Sequence, residues 1–253
     1  MILEHGLFGT KHIIILVVCF IAICLGYYFS RKLSLKTIYK IMLGIGIVSE
    51  VIKVFYFTVI NTDKFGGYGY LPKTDLPFHL CSIQIIFTII VVMSTNESLK
   101  RKLMSFMMPT CLFGGFFALL IATHSSRNGL WLITLQYFGY HCAIMILALH
   151  LFTTKELEWK FKDFLSCLAL LGIFGILSIY INGILHDGSN GLTVNFMYTA
   201  GPPQEGLPYL NLDQGWLMYI VKYAALALVL LALCYIKPII NKIRGKEIEA
   251  LKN

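Results

Sequence analysis

The stretch "HIIILVVCFIAICLGYYFSRKLSLK", residues 12–36, decides the fold. Its first 18 residues, 12–29, carry no Lys, Arg, Asp or Glu. Such a run is close to the length a helix needs to cross a bilayer, about 20 residues at 1.5 Å per residue. The run then stops abruptly at Ser30, and the next six residues hold Arg31, Lys32 and Lys36. A span ending on a short basic loop is the pattern of a polytopic membrane protein with that loop in the cytoplasm. No small-residue cleavage site follows the run, so it reads as a retained span rather than a removed signal peptide.

The rest of the chain repeats this grammar. Hydrophobic residues make up 57% of the 253, charged residues only 13%, against about 25% charged in soluble domains. The mean hydropathy is +0.74. Seven apolar runs qualify as spans: 12–29, 37–60, 77–94, 103–123, 130–152, 164–185 and 215–236. Breaker-rich segments such as "HDGSNG" and "AGPPQEGLP" separate them. None of the connections is long enough for a soluble domain. The expected fold is therefore all-α, a single polytopic bundle of seven transmembrane helices.

Charge sets the orientation. Fifteen of the 21 Lys and Arg fall on one side of these spans, in 30–40, 95–102, 153–163 and the C-terminal tail. Four fall on the other side, and Lys53 and Lys222 lie inside spans. The heavy side is cytoplasmic, so the N-terminus is outside and the C-terminus inside. The net charge of +8 is then a topology signal and a contact for anionic headgroups; nucleic acid is not an expected partner. All seven cysteines sit in apolar runs without a CxxC pair, which excludes a disulfide framework or a zinc knuckle.

Ionisable groups inside spans are expensive and mark function. Here they are Glu50 and Lys53 in the second span, His79 in the third, His141 in the fifth and Lys222 in the seventh. By helical rise most of them fall in the outer half of the bundle, where at least four of Glu50, Lys53, His79, His141, Asn195 and Lys222 are expected to line one cavity. Each has a plainer reading: Glu50 and Lys53 as an i,i+3 pair, Lys222 as a snorkelling lysine, His141 as a hydrogen-bonded packing residue, His79 as an interfacial one.

The third run opens with "DLPFHLCSIQ", residues 75–84. Pro77 is expected at the first helical position, where its missing N–H is harmless. His79 and Cys81 then point about 200° apart on the helix. If Cys81 is a nucleophile, its base has to come from another helix, because a buried thiol needs help to become the attacking thiolate. His141 is a candidate, although axial rise places it about 10 Å deeper than Cys81.

At these residues the chain resembles the YwaF family of bacterial integral membrane proteins, related to the eukaryotic transmembrane protein 164 group. The resemblance rests on Glu50, "LPFHLC" opening the third span, "CLFGGFFALL" in the fourth, "YFGYHC" in the fifth and "NFMY" at 195–198. Phe196 replaces the family's usual Tyr, and Ser82 stands where an acidic residue is common. The eukaryotic relatives look like lipid acyltransferases with a Cys and a His in separate spans. The resemblance implies Cys81 and His141 as that pair, acting on a membrane phospholipid or other acyl lipid. Lys222, Lys53 or Asn195 would hold the headgroup or the oxyanion, with His79 and Glu50 in support. No cofactor is expected. The competing class is a non-catalytic lipid or solute binder or transporter using the same polar cavity. Two further readings are weaker. A retinal Schiff base at Lys222 lacks an acidic residue one turn before it. A zinc hydrolase would need His79, His124 and His141 together.

Overall fold

The computed structural model describes residues 7–62, 66–122, 130–188, 191–192, 194–204 and 207–250, with side chains to residue 245. The described secondary structure is all helical. Eight α-helices follow in order: α1 Thr10–Ser30, α2 Leu35–Phe55, α3 Leu80–Met93, α4 Glu97–Leu120, α5 Trp131–Thr153, α6 Phe161–Leu185, α7 Trp216–Cys234 and α8 Ile236–Ala250. A π-helical turn, Tyr56–Ile60, prolongs α2, and a 3-10 turn, Lys73–Asp75, precedes α3.

Six of these segments are long and apolar enough to cross a membrane: Thr10–Ser30, Leu35–Ile60, Glu97–Leu120, Trp131–Thr153, Phe161–Leu185 and Trp216–Cys234. Their surfaces agree with their composition. On α1 only His12, Cys19 and Ile23 are buried, while Ile14, Val18, Phe20 and Phe29 are each more than half exposed. A helix so apolar on its open face is stable only against lipid. The protein is a multi-pass membrane protein.

The expected third span behaves differently. Its helix, α3, has 14 residues, about 21 Å, against a hydrocarbon core of about 30 Å. Pro77 does not open it. Phe78 N–H closes a tight turn on the Leu76 carbonyl at 2.8 Å, and the first helical bond runs from Ile83 N–H to the His79 carbonyl at 3.0 Å. His79 is thus the residue that caps the helix rather than a member of its first turn.

The chain divides into two compact units. Met1–Met93 with Thr110–Thr154 holds α1, α2, α3, the second half of α4, and α5. Here α5 is central, flanked by α1 and α2, and α3 packs on α2. Glycines permit the closest approaches. A Cβ at Gly46 of α2 would lie 3.1 Å from Ile85 of α3. One at Gly115 of α4 would lie 2.6 Å from Met145 and 3.2 Å from the His141 carbonyl of α5. Buried His12 closes the end of α4. Its Nε2–H donates to the Leu119 carbonyl at 3.0 Å, and Phe8 N–H donates to its Nδ1 at 3.2 Å. An otherwise orphaned helix-end carbonyl is thereby satisfied.

Ser94–Pro109 with Lys155–Asn253 forms the second unit, with the first half of α4, then α6, α7 and α8. Pro109 lies inside α4 and cannot donate to the Ser105 carbonyl four residues back. Buried Tyr235 supplies the missing donor, its hydroxyl 2.6 Å from that carbonyl. Arg101 grips Asp163 of α6 with two bonds, Nε to Oδ1 at 2.8 Å and a terminal nitrogen to Oδ2 at 2.6 Å. Asp163 also caps α6, accepting from Lys160 N–H at 2.7 Å.

Candidate active site

The site is built around an ion pair and a folded-back strand of chain. Lys53 of α2 meets Glu50 one turn earlier at 2.8 Å, the i,i+3 pairing expected of that spacing. The ammonium does more than neutralise Glu50. It also donates to the Asp75 main-chain carbonyl at 3.0 Å. Lys53 lies seven residues before the end of the α2–π-turn segment at Ile60, about 10 Å along the helix. Asp75 is therefore drawn well below that end, and the chain from there to His79 runs without α-helix. Irregular backbone at such depth is tolerated only where protein groups satisfy it. Lys53 supplies one such bond, and the Thr74 backbone hydrogen-bonds the His79 side chain.

The first turn of α3, which follows this fold-back, is tied to α5. Sequence rise alone leaves Cys81 about 10 Å shallower than His141. In the structure Tyr140, the neighbour of His141 on α5, donates from its hydroxyl to the Cys81 carbonyl at 2.8 Å. The tyrosine thus joins the residue before His141 to the main chain of Cys81, in the first turn of an α3 that begins late, at Leu80.

The imidazole of His141 is buried. Its Nδ1 lies 2.6 Å from the Tyr137 carbonyl. A carbonyl can only accept, so Nδ1 carries the proton and Nε2 keeps the lone pair. The Tyr137 ring lies close by, with centroids 4.3 Å apart and the planes tilted by 45°. The Lys53 charge acts on Asp75, His79 and Cys81, and His79 acts on His141. Glu50, Lys53, His79, Cys81 and His141 are thus gathered in the first unit. Among the described residues no hydrogen bond joins the Cys81 thiol directly to the His141 ring.

The other two candidates lie in the second unit. Asn195 is engaged in its own loop: its amide donates to the Gly201 carbonyl at 2.9 Å and accepts from Ala200 N–H at 3.1 Å. Around it Met197 and Tyr198 adopt left-handed backbone, φ 52° and 54°, held by the hydroxyls of Tyr223, at 2.9 Å from the Met197 carbonyl, and Tyr219, on the Tyr198 carbonyl. Lys222 is half-buried on α7 and makes no ion pair or hydrogen bond among the described residues.

Three contributors escape a reading by span. Asp75 lies in the lead-in to α3, half-buried, where its carboxylate accepts from the Thr74 hydroxyl at 3.3 Å. Tyr140 is one more aromatic in an aromatic-rich run, although it belongs to the quoted "YFGYHC". Gln84, one turn after Cys81, is buried and donates to the Leu80 carbonyl at 3.1 Å and to Thr110 Oγ1 at 3.0 Å. Its Oε1 accepts nothing. As for a metal, His124 lies outside the described residues, and among those described no cluster of three or more His, Cys, Asp or Glu forms a ligand set.

No curated protein and no solved structure is similar enough to match the chain. A family model does match, over residues 7–235, and that range takes in Glu50, "LPFHLC", "YFGYHC" and "NFMY". With nearly the whole chain covered and six helices able to cross a bilayer, the protein belongs to the TMEM164 family of membrane proteins.

Proposed function

We propose that the protein is a membrane lipid acyltransferase or lipid-ester hydrolase working through Cys81 and His141. The observation that supports this reading is the Tyr140 bridge, which joins the residue before His141 to the main chain of Cys81. The Cys81 thiol gives its proton to His141 Nε2 and attacks the ester carbonyl carbon of a lipid. The tetrahedral intermediate collapses to a thioester as the imidazolium protonates the departing lipid oxygen. A second hydroxyl then gives its proton to Nε2 and attacks the thioester, and the thiol is restored. A lipid hydroxyl makes the protein a transferase; water makes it a hydrolase. Lys53 has three N–H groups, of which Glu50 and the Asp75 carbonyl engage two, and the third suits a developing oxyanion. Asn195 is less suited to that role, since both ends of its amide are engaged. From the sequence resemblance we further read the chain as a relative of the bacterial YwaF proteins, in the cell membrane.

The thioester is the test. Purified protein incubated with an activated fatty-acyl ester should gain one acyl mass, located on the Cys81 peptide and released by neutral hydroxylamine. No adduct, or one on another cysteine, would refute the mechanism. The competing reading, a binder without chemistry, draws on the lack of a direct thiol–imidazole bond; it expects Cys81→Ser to bind lipid unchanged and no adduct in the parent protein.

The proposed topology has seven crossings, counting α3 with its tethered lead-in, and the N-terminus outside. The Arg101–Asp163 pair supports it, because 95–102 and 153–163 have to lie on one side to meet. In a protein freed of native cysteines, single cysteines placed in 61–74 and 186–213 should label from outside. Labelling of 95–102 from outside would reverse the orientation.

A further inference from the structure

The second unit contains a groove separate from the Cys81 region, with a volume of about 350 Å³. Ile179, Gly183 and His186 of α6 and its end line one wall; Leu192, Val194 and Trp216 contribute most of the rest. The polar side chains of its floor are already occupied. Asn182 donates to the Phe196 carbonyl at 3.1 Å and Thr199 Oγ1 at 3.0 Å, and accepts from Phe196 N–H at 2.8 Å. Thr199 also bonds Ser178 at 3.0 Å, and Trp216 Nε1–H donates to the Thr199 carbonyl at 2.9 Å. The lining of the groove is mainly apolar, and these polar groups have little bonding capacity left to offer a ligand.

His186 is the exception. Gly188 N–H donates to its Nδ1 at 2.9 Å, which places the ring proton on Nε2. Among the described residues, that N–H is the one side-chain donor of the lining without a protein partner. The groove also borders the open face of a membrane helix, where Ile176, Tyr180 and Ile184 are 65–70% exposed.

We infer that this groove is a binding site for a single-chain fatty acid, its carboxylate on His186 Nε2–H and its chain against Ile179, Leu192, Val194 and Trp216. The volume favours one chain over two: about 350 Å³ takes roughly a dozen methylene-sized groups at ~30 Å³ each, the share of one water in the liquid, so the carboxyl end and most of a palmitate chain fit and its tail runs out along the open apolar face. A preformed apolar pocket with one orienting polar group is the usual form of a small-ligand site. A carboxylate fits the donor better than a neutral ester, because hydrogen bonds to an ionised acceptor are about twice as strong. This site is independent of the acyl chemistry proposed for Cys81.

The test uses the full-length protein in nanodiscs with a palmitic acid carrying a mid-chain diazirine, and locates the adducts by mass spectrometry. Adducts should concentrate in 179–216, and palmitate should compete about tenfold better than methyl palmitate. Gly183→Phe should abolish the labelling by filling the groove; a Cβ there meets no atom within 4 Å, so the helix tolerates the change. His186→Ala, at an exposed residue, should erase the preference for acid over ester while leaving chain labelling in place. Labelling spread evenly along the exposed faces of α6 and α7, labelling unaffected by Gly183→Phe, or equal competition by acid and ester in the parent protein would each overturn the inference.

Discussion

Cys81→Ala and His141→Ala should each lower acyl transfer from a phospholipid by at least about 100-fold, the lower end of what a positioned general acid–base group contributes. The two losses should not add, because nucleophile and base act in the same steps. Cys81→Ala removes a half-buried sulfur from the first turn of α3 and leaves the Tyr140 bond intact, since that bond falls on the main-chain carbonyl. His141→Ala removes a buried ring whose one side-chain bond is to its own helix. Both variants should keep the folded bundle, checked by monodisperse elution and a cooperative melting transition, lowered in His141→Ala by the cavity its buried ring leaves. Tyr140→Phe should give a smaller loss, because it loosens the main chain at Cys81 without touching either reacting group. Full activity in Cys81→Ala would end the mechanism.

Arg101→Ala should destabilise the protein by about 3–5 kcal/mol, the range for stripping a buried charge of its partner. Asp163 is only 3% exposed, and Arg101 provides both of its side-chain bonds while also holding the Glu158 carbonyl at 2.5 Å. The variant leaves a carboxylate in the interior with the Lys160 N–H as its remaining partner. Adding Asp163→Asn should recover much of the loss, because the stranded charge is gone. Arg101→Lys should fall between, since an ammonium cannot reproduce the two parallel bonds. Thermal unfolding of the three variants in detergent measures the series. A change of less than ~0.5 kcal/mol in Arg101→Ala, typical of an ordinary surface substitution, would show that the pair adds nothing.

The spans were legible because hydropathy is a property of composition over 20 residues, and 12–29 or 164–185 admits no other reading. The Glu50–Lys53 pair was legible too, since i,i+3 contacts follow from helical geometry alone. What escaped depends on contacts between distant residues. Pro77 looked like a helix start, yet the start is set by Lys53 pulling on Asp75, 22 positions away. Arg101 and Asp163 are 62 positions apart, and each reads by itself as a topology charge. Asn195 belongs to the "NFMY" motif, but its amide serves the turn it sits in. A motif names a residue without saying which of its atoms are already bonded.

The shortness of α3 bears on how the chain is made. Spans leave the ribosome one at a time, and each has to be apolar for long enough to remain in the bilayer. The 14 residues Leu80–Met93 do not meet that condition alone, and the segment before them carries polar backbone that lipid cannot satisfy. Their anchor is synthesised first: Lys53 is already in place on α2 when Asp75 emerges. This part of the protein is therefore assembled as a hairpin, with the earlier helix serving as the receptor for the later one.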